Sequence, residues 1–129
     1  MSQVANPSRV GDREARAYAK YIKSSPRKLN LVAQLVRGRS LGDAISSLAF
    51  CERRIAIDVR KVLQSALANA ENNHNLDPDL LVVKEATVGR TVVMKRFHAR
   101  GRGRASRIEK PYSNLTVVLE EVNKEIGAK

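Results

Sequence analysis

The chain has 129 residues and carries 24 lysines and arginines against 13 acids, a formal net charge of +11. Hydrophobic residues make up 43% of it, which excludes wholesale disorder and suits one domain with a modest core of Leu, Val, Ile and Ala, since aromatics are only 4%. Its positive excess predicts a nucleic-acid or anionic-membrane partner, and the lack of any run of about 18 apolar residues excludes a spanning helix.

The first twelve residues, 1–12, hold Asn, Pro, Ser and Gly with little periodicity, so we expect a loose N-terminal arm without the apolar segment of a secretory signal. The next segment, Arg13 to Ser24, alternates between two faces. One face would carry Ala15, Ala17, Ala19 and Tyr21, and the other Arg16, Tyr18 and Lys20. This alternation favours a half-buried strand, although the alanines leave a helix open.

Three amphipathic helices are predicted to follow. Ser25 as N-cap, Pro26 at the first helical position and Gly38 past the end bound the first helix. The second begins at a capping box that opens with Ser40, and the third runs from about Glu52 to Asn72. Their predicted inward faces are Leu29, Val32, Ala33 and Val36; then Leu41, Ala44, Ile45, Leu48 and Ala49; then Ile55, Val59, Val62, Leu63, Ala66, Leu67 and Ala70.

Two β-branched runs, Leu80 to Val88 and Asn114 to Val122, are typical of strands. If they pair antiparallel, about twenty-five residues join them, and a structureless loop of that length is unusual in a compact domain. We therefore predict one long hairpin, at about residues 89–107, that folds back near Ala99 to Gly103. Each protruding side would have roughly ten residues, about 30 Å at strand rise, and such a ribbon should be mobile until a partner holds it.

The hairpin segment is strongly basic. Residues 90–110 supply +7 of the net charge, from eight cations and Glu109. A solvated loop, or basic residues that protect a strand edge, would need roughly two or three cations, so we favour binding to polyphosphate. Gly101 and Gly103 would let the backbone turn sharply. The eight cations are Arg90, Lys95, Arg96, Arg100, Arg102, Arg104, Arg107 and Lys110.

No pattern of catalytic or metal-binding residues stands out. The single cysteine, Cys51, excludes a disulfide framework, and we expect it to be a small buried residue. His74 and His98 have no companion ligands at metal spacing. No nucleophile or glycine-rich phosphate cradle accompanies the acids. We therefore expect no enzymatic activity, no metal, no cofactor and a cytosolic compartment.

Three segments in order, "SPRKLNLVAQLVRGRS", "KVLQSALANAENN" and "MKRFHARGRGRASRI", are followed by "TVVL". Together they resemble the bacterial type of the large ribosomal subunit protein twenty-two family, from about Ala17 to Val122. The resemblance implies an α+β fold with three helices packed on a small antiparallel sheet and one long protruding β-hairpin. We accordingly expect a single domain over 13–122 and a C-terminal tail over 123–129.

The resemblance also implies a function. The body would bind large-subunit rRNA near the outer end of the polypeptide exit tunnel and contribute to subunit assembly, and the hairpin would line the tunnel wall. Its partners would be large-subunit rRNA, neighbouring large-subunit ribosomal proteins and the nascent polypeptide, with no membrane and no homo-oligomer. In that family, changes in the hairpin are associated with macrolide tolerance. A free-standing nucleic-acid-binding chaperone or regulator is the alternative.

Residue roles follow from the same resemblance and from the charge pattern. Met94, Lys95 and Arg96 match the family's "MKR" triplet, and Arg100 to Arg104 match its hairpin tip. Besides the hairpin cations, the expected rRNA-binding residues are Arg27, Lys28, Arg37, Arg39, Arg53, Arg54, Arg60 and Lys61. The expected tunnel-facing tip residues are Met94, Phe97, His98, Ala99, Gly101 and Gly103.

Overall fold

The computed structural model describes residues 2–123, so the expected C-terminal tail lies outside them except for Asn123. The elements in chain order are β1 (Glu14–Ile22), α1 (Pro26–Val36), α2 (Leu41–Ala49), α3 (Ile55–Asn73), a short 3-10 turn (Pro78–Leu80), β2 (Leu81–Ala99) and β3 (Ala105–Glu121). The three strands form an antiparallel sheet in the order β1-β3-β2. The predicted α+β class, with three helices and a long hairpin, is confirmed.

Residues next to α1 and α2 determine where these helices begin and where α1 ends. The Ser25 hydroxyl accepts a hydrogen bond from the backbone of Lys28, and the Ser40 hydroxyl accepts one from Asp43, as the capping signals predict. Gly38 follows α1 with a φ of 73°, a left-handed conformation that glycine adopts without steric cost.

The start of α3 differs from the prediction, since the helix begins at Ile55 and not near Glu52. The backbone N–H of Cys51 still bonds to the Leu48 carbonyl at the end of α2. At the other side of this connection, Arg54 occupies the N-cap position of α3 and makes no side-chain cap hydrogen bond. The connection therefore extends about three residues further than periodicity alone indicates.

The core is aliphatic and lies between the helices and one face of the sheet. α3 packs against β1, and α1 packs against β2. The largest fully buried side chains are Leu29, Leu63, Leu81, Leu115, Leu119, Val32, Val36, Val59, Val83, Val117 and Ser113. None of the three tyrosines and two phenylalanines belongs to this core. Cys51 is half-buried and packs against it.

Two predicted inward positions point to solvent instead. Tyr21 is 59% exposed and Ile22 is buried, because a register irregularity between Ala19 and Ile22 reverses the alternation at the end of β1. Ala49 is also exposed. The buried stripe of α2 ends with Leu48, and the next helical position is rotated by about 100° away from it.

The hairpin formed by β2 and β3 extends beyond the rest of the sheet. β2 has 19 residues and β3 has 17, and their antiparallel pairing runs from Leu81↔Glu121 to Ala99↔Ala105. β1 pairs with β3 only as far as Ser113, which faces Arg90 on β2. From that point the ribbon has two strands only, and it runs for about 30 Å at strand rise.

Candidate nucleic-acid interface

The hairpin presents its cations to solvent. All eight, from Arg90 to Lys110, are exposed. Lys95 faces the only acid of this stretch, Glu109, across the two strands, and Phe97 faces Arg107. Among residues 2–123 the salt bridges are confined to Lys84, Glu14 and Glu120, so no hairpin cation is neutralised within the described chain. Such a surface attracts polyanions, because phosphate binding releases condensed counterions.

The tip of the hairpin is a tight turn. The backbone N–H of Arg100 bonds to the Arg104 carbonyl at 2.8 Å, and the N–H of Arg104 bonds to the Gly101 carbonyl at 3.4 Å. Arg102 and Gly103 occupy the central positions with φ of 61° and 69°, as a type I′ turn requires. The turn therefore places three arginines within five residues at the end of the ribbon.

The expected tunnel-facing residues lie along the last part of this ribbon. Phe97 is 77% exposed and Met94 is 40% exposed, and His98 and Ala99 are also exposed. The guanidinium of Arg96 contacts the Met94 sulfur at 3.7 Å. Gly101 and Gly103 lie in the turn, where an added Cβ would meet no atom within 4 Å. The last part of the ribbon is thus an exposed basic surface that carries a single aromatic ring, that of Phe97.

A basic cleft lies on the body between the end of β1, the start of α1 and the start of α3. Its volume is about 420 Å³, and we call it the β1–α3 cleft. It brings together Lys28, Arg53 and Arg54, three of the expected RNA-binding residues. It also contains Lys23, which was not among the expected residues, and one acid, Asp58. The complete lining is Lys23, Ser24, Ser25, Lys28, Arg53, Arg54, Ile55 and Asp58.

A second groove, of about 410 Å³, lies on the other side of α1 at the root of the hairpin. Arg37 is fixed there, since its Nε donates to the Ala86 carbonyl at 2.8 Å and one terminal nitrogen donates to Asn30 Oδ1 at 2.6 Å. Arg27 lines the same groove. A guanidinium held on two sides loses little side-chain entropy when its remaining N–H groups bind phosphate. The complete lining is Pro26, Arg27, Asn30, Arg37, Thr87 and Val88.

The remaining expected cations are not brought into either cleft. The guanidinium of Arg39 donates to the Ser47 hydroxyl at 2.8 Å, which ties it to α2. Lys61 is exposed on α3. Arg60 is half-buried, and its Nε has no hydrogen-bond partner among the described residues. The body cations that line the clefts therefore form two separate surfaces, and the hairpin forms a third.

Two carboxylates, Glu14 and Glu120, lie at the end of the sheet opposite the hairpin. Glu14 forms an ion pair with Lys84, and Glu120 lies 3.8 Å from the same ammonium group. The hydrogen bond from Lys84, followed by one from the Gly11 backbone, lowers the pKa of Glu14 below its ordinary value. The hydrogen bond to Glu14 raises the pKa of Lys84. These two carboxylates are thus engaged away from the basic clefts and the hairpin, where Asp58 and Glu109 are the acids present.

Residues 2–123 contain neither a metal-binding cluster nor a membrane-spanning helix. No group of three or more His, Cys, Asp or Glu side chains in this range could hold a metal ion. No helix in the same range is long and apolar enough to cross a membrane.

Comparison with known proteins adds independent information. The model of the family described as ribosomal protein L22p/L17e matches residues 17–120. The chain is 61% identical over 121 residues to a large ribosomal subunit protein uL22 from Rhodospirillum centenum, covering 94% of this chain and 92% of the relative. It is 60% identical over 122 residues to the protein of the same name from Mesorhizobium japonicum, covering 95% of each chain. A third protein of that name, from Rhizorhabdus wittichii, is 58% identical over 125 residues, which cover 97% of this chain and 98% of the relative.

Proposed function

Because the chain belongs to the ribosomal protein L22p/L17e family, we propose that it binds large-subunit rRNA and lines the polypeptide exit tunnel with its hairpin. As a large-subunit ribosomal protein it is a structural component of the translation machinery and not an enzyme. The distribution of charge supports rRNA binding, and the shape of the hairpin supports the tunnel role.

The observation that carries rRNA binding is the exposed and unpaired charge of the hairpin. Eight cations project from the two strands and the turn between them without an acid partner among the described residues. Six of the eight are arginines, which bind phosphate through two parallel N–H donors and also stack on bases. The body adds cations from α1 and α3 at its two clefts. Binding should therefore be distributed over the body and the hairpin.

The tunnel role is supported by the dimensions of the hairpin. A two-stranded ribbon is slender, and it extends for about 30 Å beyond the point where β1 ends. A ribbon of this kind is marginally stable in water, so it needs contacts on both sides to be held in place. We propose that rRNA holds one side and that the nascent polypeptide passes the other. Phe97 would then lie near the passing chain, whereas Met94 and His98, which alternate onto the opposite face of β2, would face the rRNA.

The body is proposed to anchor the protein and to assist subunit assembly. Its β1–α3 cleft draws cations from several elements that meet only in the folded protein, so the folded body can hold RNA segments together. Neighbouring large-subunit proteins are the further partners, and the protein would act as a single copy bound to ribosomes in the cytoplasm.

Sedimentation of a cell lysate tests this proposal. A tagged full-length chain should travel with large subunits in low salt, whereas a free-standing regulator would remain mostly at the top of the gradient. A chain found mostly free of large subunits would contradict the proposal.

A shortened hairpin tests the separate roles of body and hairpin in the same gradients. Removing Lys95 with Arg96 and Ile108 with Glu109 deletes two facing pairs, so the tip retracts by about 7 Å and the inward and outward alternation is kept. This variant should still be incorporated, because the body clefts are intact. Its absence from large subunits would show that the hairpin is the anchor.

A further inference from the structure

The aromatic residues of this protein lie outside its core. Tyr18 and Tyr21 on β1 are 52% and 59% exposed, and Phe50 and Phe97 are more exposed still. Aromatic side chains ordinarily contribute large buried areas to cores and interfaces. The core is built without these rings, and the exposed rings of Tyr18 and Tyr21 lie beside cations, which indicates that these two have a partner outside the chain.

β1 carries an alternating pattern of cations and rings on the face turned away from the helices. The guanidinium carbon of Arg16 lies 5.8 Å from the centre of the Tyr18 ring, and Lys20 Nζ lies 5.4 Å from the centre of the Tyr21 ring. The irregularity between Ala19 and Ile22 turns Tyr21 outward next to Lys20. We call Arg16, Tyr18, Lys20 and Tyr21 the β1 stripe.

The backbone beneath the β1 stripe is held by other elements. Asn69 on α3 donates a side-chain hydrogen bond to the Arg16 carbonyl at 2.9 Å. The Thr91 hydroxyl on β2 donates to the Lys20 carbonyl at 3.1 Å. The backbone of both Arg16 and Lys20 is therefore held at the carbonyl group. The backbone loses little conformational entropy when a ligand binds there.

We propose that the β1 stripe stacks unpaired RNA bases on Tyr18 and Tyr21, while Arg16 and Lys20 interact with the adjoining phosphates. This inference rests on the proposed rRNA binding and adds a surface that neither the hairpin nor the clefts include. Each ring has a cation near it and keeps about half of its surface free, which is the arrangement that a base can complete by stacking.

The charge of the β1 stripe favours nucleic acid over other partners. The stripe itself contains two cations and no acid, and the acid nearest in sequence, Glu14, is engaged by Lys84. Lys23 follows directly on β1 and lines the β1–α3 cleft, so the stripe continues into that basic surface. Bases are accessible for stacking in loops, bulges and single strands, and not within an A-form duplex. The ligand class is therefore unpaired RNA.

Tyrosine fluorescence tests the inference directly, since the chain has no tryptophan. Replacing Tyr112→Phe leaves Tyr18 and Tyr21 as the only fluorophores of this kind. Single-stranded oligoadenylate should quench their emission, and an RNA duplex of the same length should quench it much less. Equal quenching by both RNAs, or none by oligoadenylate, would overturn the inference.

Affinity measurements supply a matched set of variants. Tyr18→Leu and Tyr21→Leu should each weaken oligoadenylate binding about fivefold or more, the lower end of a base–aromatic stack. Tyr18→Phe and Tyr21→Phe keep the ring and should bind within about twofold of the wild-type protein. Phe50→Leu removes an exposed ring that lies off β1 and should leave the affinity unchanged.

The outcomes separate this inference from the proposed function. Leucine variants that bind oligoadenylate as tightly as the wild-type protein would overturn the inference, and wild-type binding to protein-free large-subunit rRNA would still support the proposed function. Failure of the wild-type protein to bind that rRNA would overturn both. Quenching by oligoglutamate without quenching by oligoadenylate would indicate that the β1 stripe binds an acidic protein, and it would overturn the inference.

Discussion

The hydroxyl of Ser113 on β3 donates a hydrogen bond to the main-chain carbonyl of Ser24 at 2.6 Å. Ser113 is fully buried and faces Arg90 and Ile22, so it lies where the three-stranded sheet ends and the two-stranded hairpin begins. Ser24 lines the β1–α3 cleft. This single bond therefore joins the root of the hairpin to the backbone of the cleft.

Replacing Ser113→Ala should lower the free energy of unfolding by about 1–2 kcal/mol, because the part-buried Ser24 carbonyl loses its donor. The control is Ser106→Ala, also on β3 but exposed, which should change the free energy by less than about 0.5 kcal/mol. Urea denaturation of both variants measures the difference. Equal stabilities would show that the bond contributes little to the junction.

The ion pair of Glu14 with Lys84 should make stability depend on pH. The hydrogen bond from Lys84 lowers the pKa of Glu14 from its ordinary value of 4.5, so the folded state binds this proton less readily than the unfolded state does. Stability from this carboxylate is present above the unfolded-state pKa and is lost as the pH falls through the folded-state pKa.

The stability advantage of wild type over Glu14→Gln should therefore be full at neutral pH and shrink as the pH falls below 4.5. Thermal unfolding across this pH range measures the advantage, and Glu71→Gln, an exposed position on α3, is the control. An advantage that grows on acidification would contradict the assigned direction.

The turn of the hairpin contains local strain. Arg102 has a φ of 61°, a conformation that costs a residue other than glycine about 1 kcal/mol or more. Arg102→Asn should relieve this strain, because Asn tolerates the left-handed region and Asn-Gly suits a type I′ turn.

Hydrogen exchange measures the effect at the backbone N–H groups of Arg100 and Arg104, which bond across the turn. Exchange there should slow in Arg102→Asn, while remaining faster than exchange at Val59 or Leu63 in α3. Arg104→Asn removes the same charge from a residue without positive φ and should not slow exchange. Equal effects of the two replacements would attribute the change to charge and not to strain.

The β1–α3 cleft should contribute to the salt dependence of rRNA binding. Removing one cation that binds a phosphate should reduce the slope of log affinity against log salt by about 0.7 to 0.9. We expect a reduction of this size for each of Lys23→Gln, Arg53→Gln and Arg54→Gln. Lys84→Gln removes one charge at the opposite end of the sheet and should leave the slope unchanged. An unchanged slope in the cleft variants would indicate that the body binds rRNA at the Arg27 and Arg37 groove instead.

Much of the fold could be predicted because its signals are local. Ser25, Pro26 and Gly38 bound α1 through capping and backbone geometry that depend only on neighbouring residues. The hairpin was predictable because a long basic segment between two strand-like runs has few compact alternatives. The charge of the hairpin was predictable for a simpler reason, since the positions of the arginines and lysines can be read directly from the sequence.

The remaining features depend on contacts between distant residues. The bulge that turns Tyr21 outward arises where β1 pairs with β3, and periodicity assumes that no such irregularity exists. Lys23 was missed as a cleft residue because the end of β1 meets the start of α3 only in the folded chain. Arg54 precedes α3 without a side-chain cap, so no residue type marks that helix start.

Photo-cross-linking from two exposed phenylalanine positions tests the tunnel role of the hairpin most directly. Phe97 lies on the hairpin and is 77% exposed, and Phe50 lies on the body and is 89% exposed. Each is replaced in turn by a photoreactive phenylalanine analogue, and ribosomes carrying the protein are stalled on a truncated message. We expect nascent-chain cross-links from position 97 and none from position 50. Cross-links to the nascent chain from position 50 alone, or from neither position in ribosomes shown to contain the protein, would contradict that role.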